Sequence, residues 1–174
     1  MRGTLSLPLD ASYDEMDSPV GKLTIITSSQ GLHAILWDND RRDLSHEKLF
    51  LTLHKCQNTK INIETKTQLD EYFQKKRRKF DLPLVLNGTD FQIQAWKQLI
   101  KIPYATTMSY GEQAEKIGDR KKARAIGMAN GRNPISIVIP CHRVIGSNGH
   151  LVGFAGGIEK KTYLLGLERE GVIV

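Results

Sequence analysis

SYGEQAEKIGDRKKARAIGMANG, residues 109–131, decides how the second half of this chain folds. Ser109 with Glu112 forms a capping box, a serine to hold the third backbone N–H and a glutamate to reach back. It opens a short helix with Tyr110, Ala114 and Ile117 at helical spacing, and Gly118 can end it. A second helix is expected from Lys121 to Ala129, closed by Asn130 and Gly131. Two short helices joined by Gly118, Asp119 and Arg120 match a helix-turn-helix, with the basic second helix in the recognition position. Many helix pairs of this kind bind nothing, so the pattern permits a nucleic-acid partner without requiring one.

Upstream, Thr89 and Gln92 form another capping box. The helix they open carries Phe91, Ala95, Trp96 and Leu99 on one face, with Pro103 just beyond its end. Downstream, residues 135–139 (ISIVI) read as a buried strand, set off by Pro134 and Pro140. Residues 146–149 and 153–157 are glycine-rich loops, and 158–168 a final helix with Tyr163, Leu164, Leu165 and Leu167 as its apolar surface. The first half is mixed. Residues 20–27 (VGKLTIIT) and 32–37 (LHAILW) flank the turn sequence 28–31 (SSQG) as a hairpin. A helix is expected over 65–74, with Thr65 and Gln68 as its capping box and Leu69, Tyr72 and Phe73 on its apolar face. Residues 80–86 (FDLPLVL) read as an extended connection.

The 174 residues suit one large or two small domains, and 40% hydrophobic content is that of a globular protein. No apolar run is long enough to span a membrane, and no secretion signal is seen, so a cytoplasmic protein is expected. The net charge of +6 is compatible with nucleic acid. Its basic clusters are Lys75–Lys79 and Arg120, Lys121, Lys122 and Arg124. Each has a plain reading as a solvated helix face or loop, which for Lys75–Lys79 stands level with a DNA role. The two cysteines, Cys56 and Cys141, are expected as free thiols. His54 lies beside Cys56, but no second ligand pair follows, so no metal site is expected.

Cys141 has the most chemistry around it. It follows Pro140 and precedes His142, a side chain able to take the thiol proton and leave a thiolate, the nucleophilic form. Taken alone, a Cys-His dipeptide fits an inert buried cysteine beside a surface histidine better. The flanks give it context. Residues 137–145 (IVIPCHRVI) resemble the active-site motif of the O6-alkylguanine-DNA alkyltransferases, the methylated-DNA–protein-cysteine methyltransferases. Residues 91–96 (FQIQAW), 109–111 (SYG), 123–127 (ARAIG), 133–134 (NP) and 153–157 (GFAGG) resemble further blocks of that family in the expected order. The likeness is near-continuous from 91 to 171. It touches Tyr72, Phe73 and 80–84, and is loose over the first 60 residues.

The resemblance implies an α/β protein. A small N-terminal α/β domain with a β-sheet, residues 1–86, would precede a mainly helical domain, 87–174, with a winged helix-turn-helix-like DNA-binding motif. It implies irreversible, single-turnover transfer of an alkyl group from O6-alkylguanine in duplex DNA, and from O4-alkylthymine as a further candidate, to the protein itself. No cofactor is implied. The nucleophile and acceptor falls on Cys141, and the base, acting through a water, on His142. The carboxylate that orients the base falls on Glu168, the brace under the site on Asn133, and the tyrosine that bonds the guanine on Tyr110. Arg124 matches the finger that fills the gap left by a flipped base. Ala123, Lys121, Lys122 and Asn130 accompany it at a DNA face docked in the minor groove. Phe154, Ala155 and Gly156 line the pocket. Phe154 stands where some members have tyrosine and Ala155 where many have serine, while Asn130 replaces an apolar residue. The free protein is expected to be monomeric. A regulator without chemistry would explain the helix-turn-helix but not the cysteine. A damage-binding relative would lack the cysteine, and a cysteine hydrolase would need an oxyanion hole that the sequence does not display.

Overall fold

The computed structural model describes residues 6–38, 53–56 and 59–171. The chain divides into two compact units, Met1–Asn87 and Gly88–Val174.

The first unit is built on a four-stranded sheet in the order β3-β2-β1-β4. Its strands are β1 (Ser12–Met16), β2 (Leu23–Ser28), β3 (Gly31–Trp37) and β4 (His54–Lys55). The hairpin expected from the Ile- and Thr-rich run is present as the antiparallel β2–β3 pair, with Ser28 opposite Gly31 and a register shift at Ile26/Thr27. Both strands are buried along their whole length, which explains their continuous rather than alternating apolar character. Helix α1 (Lys60–Phe73) packs against both. It starts five residues before the expected Thr65, so the Thr65–Gln68 capping box is corrected. Thr59 is the N-cap, accepting from Asn62 N–H. The misreading has a physical cause. Asn62, Thr65 and Gln68 lie on the buried face ahead of Leu69, so apolar periodicity begins only halfway along the helix. Two of these polar side chains are bonded there. Thr27 donates to Asn62 Oδ1 at 3.1 Å, and Gln68 exchanges two 2.8 Å bonds with the backbone of Asp81. Strand β1 escaped the sequence reading because it carries Asp14, buried but paired with Lys66. The segment expected as a connection, 80–86, runs parallel beside β3 through an isolated bridge between Leu84 and Leu32. In the basic run at 75–79, Arg77 pairs with Glu71 at 2.6 Å.

The second unit holds α2 (Asp90–Ile100), α3 (Tyr110–Lys116), α4 (Ala123–Gly131) and α5 (Ile158–Glu170). A parallel pair, β5 (Met108–Ser109) with β6 (Val144–Ile145), joins the segment before α3 to the one after Cys141. Both capping boxes of this half are formed, Thr89 with Gln92 and Ser109 with Glu112. Ala95, Ala114, Ile126 and Ala129 make the core between α2, α3 and α4, with Phe91, Tyr110 and Ile117 packed against it. The recognition helix is entered through a 3₁₀ turn, Arg120–Lys122, capped by Asp119. The strand expected over 135–139 is corrected. The segment is a buried turn in which Ile139 N–H bonds Ile135 C=O at 2.9 Å. Ile137 takes the left-handed conformation at φ 74°. A short apolar run signals burial, not the backbone conformation within it.

Gly31 has φ +149°, and a Cβ there would stand 2.4 Å from the Pro83 carbonyl oxygen. Gly31→Ala should therefore destabilise the first unit by about 2 kcal/mol, from backbone strain and loss of the Leu32–Pro83 contact. Urea unfolding followed by circular dichroism checks this, and a cost below experimental error contradicts it.

Candidate active site

Helix α4 ends just before Asn133, and Asn133 organises the turn that follows. Its Oδ1 accepts from Ile135 N–H at 3.0 Å, and its Nδ2 donates to Ile139 C=O at 2.8 Å and to Cys141 Sγ at 3.2 Å. One amide thus ties both ends of a strained loop and places a donor on the sulfur. A β-branched residue in the left-handed region is a backbone outlier. It persists here because Ile135, Ile137 and Ile139 are wholly buried around it. Cys141, expected at the end of a strand, instead opens the 3₁₀ turn Cys141–Arg143 and is 6% exposed. Neither it nor Cys56 is in a disulfide.

His142 and Glu168 are buried together, with His142 Nε2 and Glu168 Oε1 2.7 Å apart. Glu168 also receives Arg143 Nε and Nη2 at 3.0–3.2 Å and Ala105 N–H at 3.0 Å. Burial would raise the Glu168 carboxyl, but the hydrogen bonds from His142 and Arg143 prevail and hold it down at about 2. Burial pushes His142 below the usual histidine range, although Glu168 pulls the other way. The ring is thus neutral beside an anion. An ionised carboxylate can only accept, so Nε2 carries the imidazole hydrogen and Nδ1 the lone pair. Nδ1 is buried and has no hydrogen-bond partner among the described residues.

Tyr110, the first residue of α3, donates to Val152 C=O at 3.0 Å. Burial, and then repulsion from the Cys141 sulfur when it is anionic, pushes its phenol up to about 12. Lys161 of α5 is wholly buried and donates to Val144 C=O at 2.6 Å and to the same Val152 carbonyl at 3.1 Å. It lies 5.9 Å from the centre of the Tyr110 ring. A groove of about 820 Å³ opens beside Tyr110. One wall is α4 at Ala123, Arg124 and Met128, and the other is the loop at Val152, Phe154 and Ala155.

The structure therefore gathers the expected residues into two adjoining groups. Asn133, Cys141, His142 and Glu168 form the buried one. Ala123, Arg124, Phe154 and Ala155 line the groove, and Tyr110 belongs to both. Lys121 and Lys122 are exposed on the turn leading into α4, and Gly156 is buried and does not line the groove. Asn130 is a correction. It was expected on the DNA face but is 6% exposed, and its amide is exchanged with that of Gln113 at 2.8 and 3.2 Å. An amide buried and paired through both its oxygen and its nitrogen inside a helix pack does not face the groove. Arg143 and Lys161 went unassigned in the sequence. For Lys161 a signal existed, because it shares a helical face with Leu164, Leu165 and Glu168.

No group of three metal-ligating side chains occurs among the described residues, nor any helix long and apolar enough to cross a membrane. Two family models match the chain. Residues 12–86 match "6-O-methylguanine DNA methyltransferase, ribonuclease-like domain", and residues 90–170 match "6-O-methylguanine DNA methyltransferase, DNA binding domain". The chain is 41% identical to a methylated-DNA–protein-cysteine methyltransferase of Methanosarcina barkeri, over 92% of this chain and 98% of the relative. It is 43% identical to one of Mycobacterium tuberculosis, over 90% and 92%. The crystal structure of Mycobacterium tuberculosis OGT in complex with DNA superposes with a TM-score of 0.81 at 40% identity, covering 92% of this chain and 94% of that one.

A carboxyl lowered from 4.5 to about 2 by folding adds stability at every pH above 4.5, and loses it as pH falls from 4.5 toward 2. That contribution is about 3 kcal/mol. Measured unfolding free energy should fall through this window, and Glu168→Gln should flatten the fall. An unchanged slope would remove Glu168 from the acid response.

Proposed function

This chain belongs to the 6-O-methylguanine DNA methyltransferase family, and we propose that it repairs alkylated guanine in duplex DNA by moving the alkyl group onto Cys141. One observation carries the reading. The Cys141 sulfur accepts a hydrogen bond from Asn133 and is followed in the chain by a neutral, Glu168-buttressed imidazole, while Tyr110 links its surroundings to the groove under α4.

The chemistry follows from these positions. His142 takes the thiol proton at Nδ1 through one water, and Glu168 stabilises the imidazolium that results. The thiolate attacks the alkyl carbon in line with the bond to guanine O6. A carbon–sulfur bond forms, the carbon–oxygen bond breaks, and its electron pair passes into the guanine. Asn133 steadies the sulfur in the attacking geometry. Tyr110 donates a hydrogen bond to the departing base, a task suited to a phenol that keeps its proton. A thiolate cannot reach this carbon inside the stack, so the nucleotide must turn out of the duplex, and Arg124 occupies the gap. Docking from the minor groove suits a repair protein, because that groove reveals little sequence. Lys121 and Lys122 contact phosphates. A thioether has no leaving group for thiol exchange, so each molecule acts once. The reading has the protein work without a cofactor and as a monomer when free.

Incubation with duplex DNA containing O6-methylguanine should add one methyl to Cys141, located by mass spectrometry. Product should plateau at one equivalent, and Cys141→Ala should transfer none while still binding DNA. Transfer to Cys56, or a second turnover, refutes the assignment.

Arg124→Ala should slow transfer from duplex DNA by at least tenfold but leave transfer from free O6-benzylguanine nearly unchanged. Unstacking a base costs a few kcal/mol, and a free base has nothing to unstack. Equal slowing on both substrates would place Arg124 in the reacting site instead.

A further inference from the structure

Arg143 is buried one residue beyond the histidine and touches no part of the groove. All its recorded bonds serve the carboxylate and the chain around it. Nε lies 3.0 Å from Glu168 Oε2 and 3.2 Å from Oε1, Nη2 is 3.0 Å from Oε1, and Nη1 donates to Ile102 C=O at 2.6 Å. The guanidinium carbon sits 5.8 Å from the centre of the Tyr104 ring. With Ala105 N–H on Oε2 and His142 Nε2 on Oε1, both carboxylate oxygens are shared between Arg143 and a second partner.

We propose that Arg143 is a positioning residue for alkyl transfer: through Glu168 it fixes which nitrogen of His142 bears hydrogen and keeps the ring a neutral base. The guanidinium cannot lose its proton, so it presents Glu168 with a permanent partner in a fixed plane. That partner balances the carboxylate charge. Without it the whole charge would fall on His142, favouring imidazolium, which has no lone pair to receive the thiol proton. The other charges acting on His142 are Glu168 and Lys161, both from α5. Helix α2, also packed against this turn, buries only Ala95, Trp96 and Leu99. Arg143 is therefore the cation that directly offsets Glu168.

The inference rests on the alkyl-transfer reading, and free O6-benzylguanine tests it apart from DNA binding. Single-turnover transfer is measured from pH 5.5 to 8.5 for the unaltered protein, Arg143→Gln and Arg143→Lys, alongside ¹⁵N spectra of the His142 ring. The unaltered protein should show hydrogen on Nε2 and a bare Nδ1 at pH 7. Arg143→Gln should slow transfer about threefold at pH 6 but hardly at all at pH 8, because the imidazole charges roughly one pH unit higher. Arg143→Lys, which keeps charge but not the fork, should fall between, and it carries the test if Arg143→Gln does not fold. Equal slowing across the pH range with an unchanged ring spectrum overturns the proposal and makes Arg143 purely structural. Hydrogen on Nδ1 in the unaltered protein also overturns it. Absence of any transfer by the unaltered protein would instead refute the function assigned to Cys141.

Discussion

A carboxylate sealed from water needs donors on all sides, and Glu168 finds them in two other parts of the C-terminal unit. The backbone of Ala105 comes from the segment after α2, His142 and Arg143 come from the cysteine turn, and Glu168 itself sits in the last full turn of α5. Removing one partner of such a cluster leaves a buried charge uncompensated, which typically costs about 3–5 kcal/mol. The cluster consequently fixes the distance between α5 and the cysteine turn more firmly than apolar packing could, because its bonds are directional. The same requirement selects the chemistry. A carboxylate that must remain an acceptor obliges its imidazole neighbour to donate, and leaves the opposite nitrogen basic.

The sulfur is held from the other side by Asn133, and the groove wall by Lys161. Lys161 and Tyr110 both donate to one carbonyl, that of Val152, from two different helices. A glycine-rich loop has little packing of its own, so these two donors set where its wall stands relative to α4. Burying a lysine to bond two carbonyls is expensive, and burial accordingly lowers its proton affinity. The nearby sulfur offsets part of that cost when anionic, so loop anchoring and nucleophile share one cation.

Much of the C-terminal unit was legible in the sequence because its signals are local. A capping box needs only four residues, and both boxes at Thr89 and Ser109 stand where their residues indicate. The Thr65 box misled because the same spelling occurs inside a helix whose buried face is polar. Residues 135–139 were readable as buried but not as a turn, since the conformation of Ile137 is imposed by Asn133 and by its own burial. Glu168 was reached only through resemblance. Its partners lie 25, 26 and 63 residues away, and no local pattern records them. Asn130 failed for the complementary reason. Its place on the recognition helix is local information, but the amide that occupies it, Gln113, belongs to another helix.

The two groups of site residues impose opposite demands. A nucleophile must be shielded to keep its histidine neutral, and Cys141 is only 6% exposed. A repair protein must also meet a target within a wide, stiff duplex that cannot follow the sulfur into the interior. The structure separates the tasks. The groove under α4 is open and apolar along Met128 and Val152, with small residues at Ala123, Gly127 and Gly153, so a planar base can slide between its walls. The charged machinery stays behind Tyr110, whose side chain belongs to both regions. On the proposed mechanism the lesion is therefore the part that travels, and the protein's rigidity around Glu168 is what makes that direction of travel the cheaper one.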